Sequence, residues 1–164
     1  MTPDESPPMR LSQILVRLNV AAGFAAVFTA ITATVLTRFG QTMALPPFVF
    51  GLLAALPYAT ALAQIPASFA VERFGGRKRV AIFGIIIHRA LWLAVAAVPW
   101  LFPRAWWWFG LILFVGLSYT SAHIGTPATT SWAADLVPAR LRGRYYALRG
   151  QLVRVVNILL GLGI

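Results

Sequence analysis

Four long apolar segments constrain this chain more than any other feature of its sequence. They cover residues 18–36, 48–70, 80–100 and 106–128. An α-helix rises ~1.5 Å per residue, so about 20 apolar residues cross the ~30 Å hydrocarbon core of a bilayer. Each segment is therefore predicted to be one membrane-spanning helix, and the predicted fold class is an all-α, polytopic transmembrane helix bundle.

A fifth apolar segment covers residues 151–164, at the end of the sequence. It reaches only ~21 Å at helical rise, which is too short to cross a bilayer. We therefore expect a truncated fifth span, with the remaining helices of a longer protein downstream. Residues 1–17 are expected to form a cytoplasmic N-terminal segment. A secretory signal is disfavoured, because its apolar core would run only ~7–15 residues.

Composition excludes several classes of function. Charged residues make up 11% of the chain, and the net charge is +10. The basic residues lie in short clusters between apolar segments rather than on a polar surface, so nucleic acid is not an expected partner. Cysteine is absent, which excludes thiolate metal sites and thiol catalysis. No cofactor or metal is predicted, and the expected partner is the lipid bilayer.

The distribution of arginine and lysine predicts the orientation. With the N-terminus in the cytoplasm, eleven basic residues face the cytoplasm and only Arg38 and Arg104 face outside, as the positive-inside rule requires. Aromatic residues at positions 100–108 cluster around the turn between the third and fourth segments, where they suit the outer headgroup level. The expected location is the plasma or inner membrane.

Small residues and prolines predict how the spans pack. Alanine, glycine or threonine recurs at every fourth position in the first two segments, which favours close approach of helices in lipid. We expect both of these faces to point into the bundle. Pro57 and Pro66 remove backbone hydrogen bonds within the second segment, so bends are expected there. The residues of the two stripes are Ala22, Ala26, Ala30 and Thr34 in the first, and Gly51, Ala55, Ala59, Ala63 and Ala67 in the second.

The loop after the second segment carries the most informative motif. An acid, an arginine, paired glycines and a basic triplet follow one another at residues 72–79. This pattern resembles the major facilitator superfamily (MFS) signature, Gly-x-x-x-Asp-Arg-x-Gly-Arg followed by a basic residue. Glu72 stands for the aspartate, Ser68 replaces the leading glycine, and Gly76 resembles a one-residue insertion. The matching residues are Arg73, Gly75, Arg77 and Lys78.

The loop after the fourth segment is similar to a second motif of that family. Asp135 is followed after six residues by Arg142, Gly143 and Arg144. Two signatures in the right order imply an MFS-like fold, of which this chain would supply the first four helices and part of the fifth. The resemblance also implies a cytoplasmic gate, in which these carboxylates pair with arginines in one state and separate in the other. A static surface ion pair is the alternative, worth only ~0–1 kcal/mol.

Polar residues inside the apolar segments are candidates for a solute or proton path. His88 and Arg89 lie near the middle of the third segment, where a charged side chain costs ~2.5–3.5 kcal/mol and usually faces a cavity or a partner. Tyr119 and His123 lie on one predicted face of the fourth segment, together with glycine, threonine and proline residues. Hydrogen bonding between helices would explain that face equally well. Two asparagines, Asn19 and Asn157, are weaker candidates.

The resemblance implies secondary-active transport of a small solute by alternating access. Coupling to protons or another gradient is expected, because no nucleotide-binding motif is present. The alternative is a non-transporting, MFS-like membrane assembly or sensor protein. A membrane enzyme is disfavoured, because neither histidine has a neighbouring acid, nucleophile motif or metal-ligand spacing in the sequence.

Overall fold

The computed structural model describes residues 11–163, and this part of the chain is helical without any strand. Six α-helices follow one another, with a single 3-10 turn, Arg104–Trp106, between the fourth and fifth. They are α1 (Leu11–Thr42), α2 (Pro47–Ala61), α3 (Gln64–Phe74), α4 (Arg77–Leu101), α5 (Trp107–Leu136) and α6 (Ala139–Gly163).

Four helical stretches are long and apolar enough to cross a membrane, which confirms the predicted transmembrane helices. They are Gln13–Thr42, Pro47–Arg73, Arg77–Leu101 and Arg104–Leu136. Their surfaces carry large exposed apolar side chains such as Phe24, Tyr58 and Leu93, at 71%, 81% and 75% exposure. A water-soluble protein rarely exposes apolar patches of this extent, whereas lipid requires them.

The helices extend beyond the apolar segments that predict them. Residues 11–17, predicted to belong to the N-terminal segment, already form the first turns of α1, while residues 1–10 lie outside the described part. The connection between α5 and α6 is only Val137 and Pro138. Residues 139–150, predicted to be loop, are therefore helical, and the predicted fifth span forms the second half of α6.

The hydrogen-bond ladder of the second span is irregular between α2 and α3, at Leu62 and Ala63. Both residues keep right-handed helical dihedrals, and the Ala63 N–H donates to the Thr60 carbonyl, three residues earlier, at 3.0 Å. This irregular turn lies one turn before Pro66, whose ring has no N–H to donate and would clash with the carbonyl four residues earlier. Pro57, in contrast, is accommodated within α2. The irregular turn lies where Pro66 predicts a bend.

Glycines form the entire connection between α3 and α4. Gly75 has φ +67° with ψ −152°, and Gly76 has φ +73° with ψ 24°. Both lie at positive φ, where a β-carbon is strained, so only glycine reverses the chain here at little cost. The residue that resembles an insertion in the family motif is half of this turn.

The connection from α1 to α2 ends α1 with a Schellman motif. The Leu45 N–H donates to the Gly40 carbonyl at 3.2 Å, and the Ala44 N–H donates to the Gln41 carbonyl at 3.0 Å. Ala44 occupies the left-handed position with φ 52°, which glycine usually fills. Pro46 and Pro47 follow directly and prevent α1 from continuing.

The chain forms two compact units. Among the described residues, unit 1 contains residues 11–36 and 133–163, and unit 2 contains residues 37–132. In unit 2, α4 and α5 form an antiparallel hairpin with a close approach at Gly84. A β-carbon on Gly84 would lie 2.9 Å from both the Gly125 Cα and the Ser121 carbonyl oxygen. The helices therefore touch backbone to backbone at this point.

Within unit 2, α2 runs parallel to α5. Phe48 meets Trp108 near the start of both helices, with ring centroids 6.2 Å apart, and Leu56 packs near Gly116 one or two turns later. In unit 1, α1 runs parallel to α6, since residues 15–19 lie beside residues 141–148 and residues 20–27 lie beside residues 152–156. Helices separated by an even number of crossings must run parallel in a membrane, and both pairs do.

The two predicted stripes of small residues differ in how far they are buried. In the first span, Ala22 and Ala26 are buried, as predicted. In the second span, Gly51, Ala55 and Ala59 are exposed, and only Ala67 is buried. The prediction that this second stripe faces the bundle is wrong for the described residues. The physical reason is that α2 packs on α5 through its larger residues, including Leu56, while Val49 and Leu53 are also buried.

Aromatic residues surround the turn between α4 and α5. The Trp107 indole N–H donates to the Phe102 carbonyl at 3.0 Å, and the Arg104 guanidinium lies 5.9 Å from the Trp107 ring centroid. Trp100 and Trp106 stay 84% and 55% exposed. Exposed indoles at a helix turn suit the interfacial region of a bilayer, as predicted for this loop.

Candidate functional site

A polar cluster in unit 2 forms where α5 passes the irregular turn between α2 and α3. The His123 ring bonds through both of its nitrogens. Its Nε2 lies 3.0 Å from the Pro57 carbonyl oxygen, and its Nδ1 lies 2.7 Å from the Gln64 Nε2. His123 therefore joins residues on both sides of the irregular turn to the fourth span.

These partners determine the state of the histidine. The Pro57 carbonyl can only accept a hydrogen bond, so the His123 Nε2 must carry the proton. In the Nε2–H tautomer the Nδ1 is an acceptor, and it faces the Gln64 amide nitrogen, which can donate to it. Both ring nitrogens are thus bonded in this one tautomer.

Polar side chains suit the surroundings of this irregular turn. Irregular backbone at membrane depth is tolerated where it lies inside protein or lines a water-filled cavity. His123 donates to the Pro57 carbonyl within α2, and the Thr60 hydroxyl lies 3.4 Å from the same oxygen. Gln64 begins α3 on the other side of the irregular turn.

A cavity of about 390 Å³ opens beside this cluster, within unit 2. Five of its seven lining residues carry an amide or a hydroxyl group, and none is charged. The lining residues are Gln64, Ile65, Ser68, Thr126, Pro127, Thr130 and Ser131. Its size lies within the ~300–1,000 Å³ range of small-molecule sites.

The hydroxyl groups of this cavity are oriented by their own helices. The Ser68 hydroxyl donates to the Ile65 carbonyl at 2.8 Å, and the Thr126 hydroxyl donates to the Ala122 carbonyl at 2.8 Å. Each hydroxyl oxygen retains lone pairs that can accept. The cavity therefore offers neutral acceptors, with the Gln64 amide as an additional donor and acceptor, and this chemistry suits an uncharged polar solute.

A second polar cluster links α4 to α5. The Ser118 hydroxyl donates to the His88 carbonyl at 3.0 Å, and the His88 Nδ1 lies 2.7 Å from the Ser118 hydroxyl and 3.0 Å from its carbonyl oxygen. That carbonyl only accepts, so the His88 Nδ1 carries the proton. Ser118 is fully buried. His88 thus holds two helices together, and the Tyr119 ring lies 6.2 Å from it.

The remaining candidates for the path lie apart from these clusters. Arg89 follows His88 on α4 but is exposed on the surface of that helix. Asn157 is exposed on α6, and Asn19 lies on α1 in unit 1 with its Oδ1 buried. The structure therefore brings His88 and Tyr119 together, and His123 with a residue not predicted, Gln64.

The first predicted gate motif lies at the end of α3 and the start of α4. Glu72 and Arg73 are exposed in the last turn of α3, and Gly75 caps that helix. Arg77 and Lys78 lie in the first turn of α4, where the helix dipole disfavours positive charge by ~0.3–1 kcal/mol per residue. Membrane topology explains their presence better than helix stability does.

The second predicted gate motif spans the connection from α5 to α6. Asp135 is exposed in the last turn of α5, and Gly143 and Arg144 are exposed on α6. The Arg142 Nε donates to the Val137 carbonyl at 3.1 Å. Arg142 therefore supplies a donor at the end of α5, and its pairing with Asp135 stays a prediction.

Two functional residues are not found by sequence reasoning. Gln64 has a weak signal, as the one glutamine inside the second apolar segment and two residues before Pro66. Ser118 has none, because serine in an apolar segment is common and its partner is thirty residues away. The chain matches no family model, no curated protein and no solved structure, so the function proposed below rests on its own residues.

Proposed function

We propose that this chain belongs to a secondary transporter of the major facilitator type, which moves a small, uncharged polar solute by alternating access. The observation that carries the proposal is the irregular turn of the second span, which His123 joins to the fourth span beside an uncharged polar cavity. Irregular backbone at membrane depth is tolerated where it lines a water-filled cavity, as at the binding sites of secondary transporters. The proposed location is the plasma or inner membrane, with the N-terminus in the cytoplasm.

The helix directions support this topology. The parallel pairs, α2 with α5 and α1 with α6, agree with a chain that crosses the membrane alternately. Under this topology, both family-like motifs lie where a span ends on the cytoplasmic side, Glu72 at the end of α3 and Asp135 at the end of α5. Carboxylates and arginines at these ends would form the proposed gate, opening and closing as the helices move.

The His123 cluster also supports coupling to protons. Protonation of the ring would place a donor at Nδ1, which could no longer accept from the Gln64 amide. The amide would have to turn and present its oxygen instead, so the proton would change what Gln64 offers to the cavity. A charged imidazole at this depth would also be costly, which favours opening of the cavity to water.

The experiment is solute uptake into proteoliposomes that contain the purified full-length protein, using a panel of labelled sugars and polyols, with labelled anions for comparison. Thr126 and Thr129 provide a matched pair, because both hydroxyls donate to the carbonyl four residues earlier at 2.8 Å, and only Thr126 lines the cavity. Thr126→Val removes an acceptor from the cavity and should reduce uptake severalfold. Thr129→Val should leave uptake near the parent level.

Equal effects of the two valine variants would show that the cavity does not bind the solute. If no member of the panel is taken up and another membrane protein co-purifies stably with the chain, the non-transporting assembly or sensor function would be favoured instead.

A further inference from the structure

Three buried polar atoms in unit 1 have no hydrogen-bond partner in the described part of the chain. They are the Asn19 Oδ1 on α1 and the Oη atoms of Tyr145 and Tyr146 on α6. Tyr145 is only 4% exposed. A buried polar atom without a partner costs ~1–3 kcal/mol, so native proteins rarely leave one without a reason such as a bound molecule. The Asn19 Oδ1 and the Tyr145 Oη are the two that one bound molecule could reach.

Both residues line the same cavity, which has a volume of about 340 Å³. Arg144 also lines it and adds a guanidinium group with up to five N–H donors. The polar part of the cavity thus offers a cation, a phenol and an amide oxygen. This combination is complementary to an anion that also carries a hydroxyl group.

An apolar groove continues from this polar cavity. It has a volume of about 460 Å³ and shares Val16 and Asn19 with the first cavity. It follows α1 from Val16 to Val27, which is ~16 Å at helical rise. One leaflet of a bilayer has a hydrocarbon thickness of ~15 Å, half of the ~30 Å core. A groove of this length, open to lipid, fits one acyl chain.

The charge of the same region selects an anionic headgroup. The described part of unit 1 contains six arginines and one aspartate, Asp135. Four of the arginines lie in the first eleven residues of α6, and one of them, Arg144, lines the polar cavity. Basic residues at a membrane surface attract anionic lipids by ~1 kcal/mol each. A zwitterionic lipid would gain less from this region.

We propose that unit 1 binds an anionic glycerophospholipid with a hydroxylated headgroup, such as phosphatidylglycerol, between α1 and α6. The lipid phosphate accepts hydrogen bonds from Arg144 and the Tyr145 hydroxyl, a headgroup hydroxyl donates to the Asn19 Oδ1, and one acyl chain lies along the groove. The Asn19 Oδ1 and the Tyr145 Oη thereby each gain a bond. This inference does not depend on transport.

The test is native mass spectrometry of the full chain, titrated with phosphatidylglycerol and, separately, phosphatidylcholine. We expect phosphatidylglycerol to bind about tenfold more tightly, since both lipids have the phosphate, but the choline cation of phosphatidylcholine is repelled by the arginines and its headgroup has no hydroxyl for Asn19. Arg144→Gln should remove most of this preference. Arg140→Gln is the matched control, because it removes the same charge from the same helix outside the cavity. Equal losses in both variants would overturn the site.

The tyrosines provide a second matched pair. The Tyr146 hydroxyl is also buried without a partner, but Tyr146 does not line the cavity. Tyr145→Phe should weaken phosphatidylglycerol binding severalfold, while Tyr146→Phe should not. Both changes keep the aromatic ring, so folding is retained, which circular dichroism checks. No difference between the two variants would contradict the proposal.

Two further measurements separate this lipid from other occupants. Phosphatidylmethanol has the same charge but no headgroup hydroxyl, so Asn19→Leu should abolish the preference for phosphatidylglycerol over phosphatidylmethanol. Excess inorganic phosphate should not displace the lipid, because it cannot fill the groove. Displacement by phosphate would show a simple anion site. A lipid-resistant dimer of the chain would show that a second copy covers the groove, and either result would overturn the proposal.

Discussion

The two units of this protein differ in how they treat buried polar groups. In unit 2, His123 and His88 each bond to a neighbouring helix, and Ser118 completes the second cluster. In unit 1, the Asn19 Oδ1 and the Tyr145 Oη are buried without partners. These three side chains of unit 2 are therefore satisfied within the protein, whereas the two atoms of unit 1 are those that the proposed lipid would satisfy. Changes in unit 2 should cost stability, and matched changes in unit 1 should not.

The largest expected effect is at the closest helix contact of unit 2. Gly84→Ala should destabilise the chain by about 3 kcal/mol, the upper part of the range for overpacking, because backbone atoms at 2.9 Å cannot move aside. Thermal unfolding in detergent measures the effect. Gly51→Ala is the control, since a β-carbon there meets nothing within 4 Å. Equal unfolding temperatures for the two variants would contradict the close contact.

A smaller loss of stability is expected when the hydrogen bonds of His123 in unit 2 are removed. His123→Leu breaks two hydrogen bonds, each worth ~0.6–1.7 kcal/mol in a membrane protein, so a loss of about 2 kcal/mol is expected. A double-mutant cycle with Gln64→Leu measures the coupling between the two side chains. The cycle should give a coupling energy near 1 kcal/mol, within the range for one such bond. Additive losses would mean that the two side chains do not interact.

A gain of stability is expected at the turn between α1 and α2. Ala44 has a left-handed conformation, so Ala44→Gly should stabilise the chain by about 1 kcal/mol. Gly76→Ala makes the opposite change at a left-handed position and should destabilise by a similar amount. Thermal unfolding of both variants checks the signs. A loss of stability in Ala44→Gly would show that this turn is not formed.

The smallest expected effect is in unit 1. Asn19→Leu removes an acceptor that bonds to nothing in the described chain, so unfolding in a detergent without phosphatidylglycerol should change by less than ~0.5 kcal/mol or show a gain. The same substitution should remove any stabilisation that added phosphatidylglycerol gives to the parent chain. A clear loss in lipid-free detergent would mean that Asn19 has a protein partner, and the contrast between the units would fail.

Sequence reasoning succeeds where a local property decides the structure. The apolar segments predict the four spanning helices because crossing lipid requires length and hydrophobicity. Pro66 predicts the irregular turn of the second span because its ring cannot take part in the helix ladder. The turn at Gly75 and Gly76 likewise follows from paired glycines in a short loop.

Sequence reasoning fails where the answer depends on which helices are neighbours. The small-residue stripe of the second span predicts a bundle face, but α2 packs through other residues. The pairing of His123 with Gln64 joins residues 59 positions apart, and no local pattern indicates it. The polar cavity beside them combines hydroxyls from two spans, each of which is unremarkable alone. The sequence could therefore predict His88, Tyr119 and His123 as candidate residues. It could not predict their partners, Gln64 and Ser118, or which helices the hydrogen bonds would join.

The most direct test of the central claim is whether water reaches the unit 2 cavity and whether a bound solute protects it from a water-soluble reagent. The sequence contains no cysteine, so a single Thr126→Cys or Thr129→Cys substitution gives a clean probe. We expect a membrane-impermeant maleimide to label Thr126→Cys in proteoliposomes much faster than Thr129→Cys, and a transported solute to slow that labelling. If Thr126→Cys resists the reagent as Thr129→Cys does, the cavity faces lipid, and alternating access through this site is contradicted.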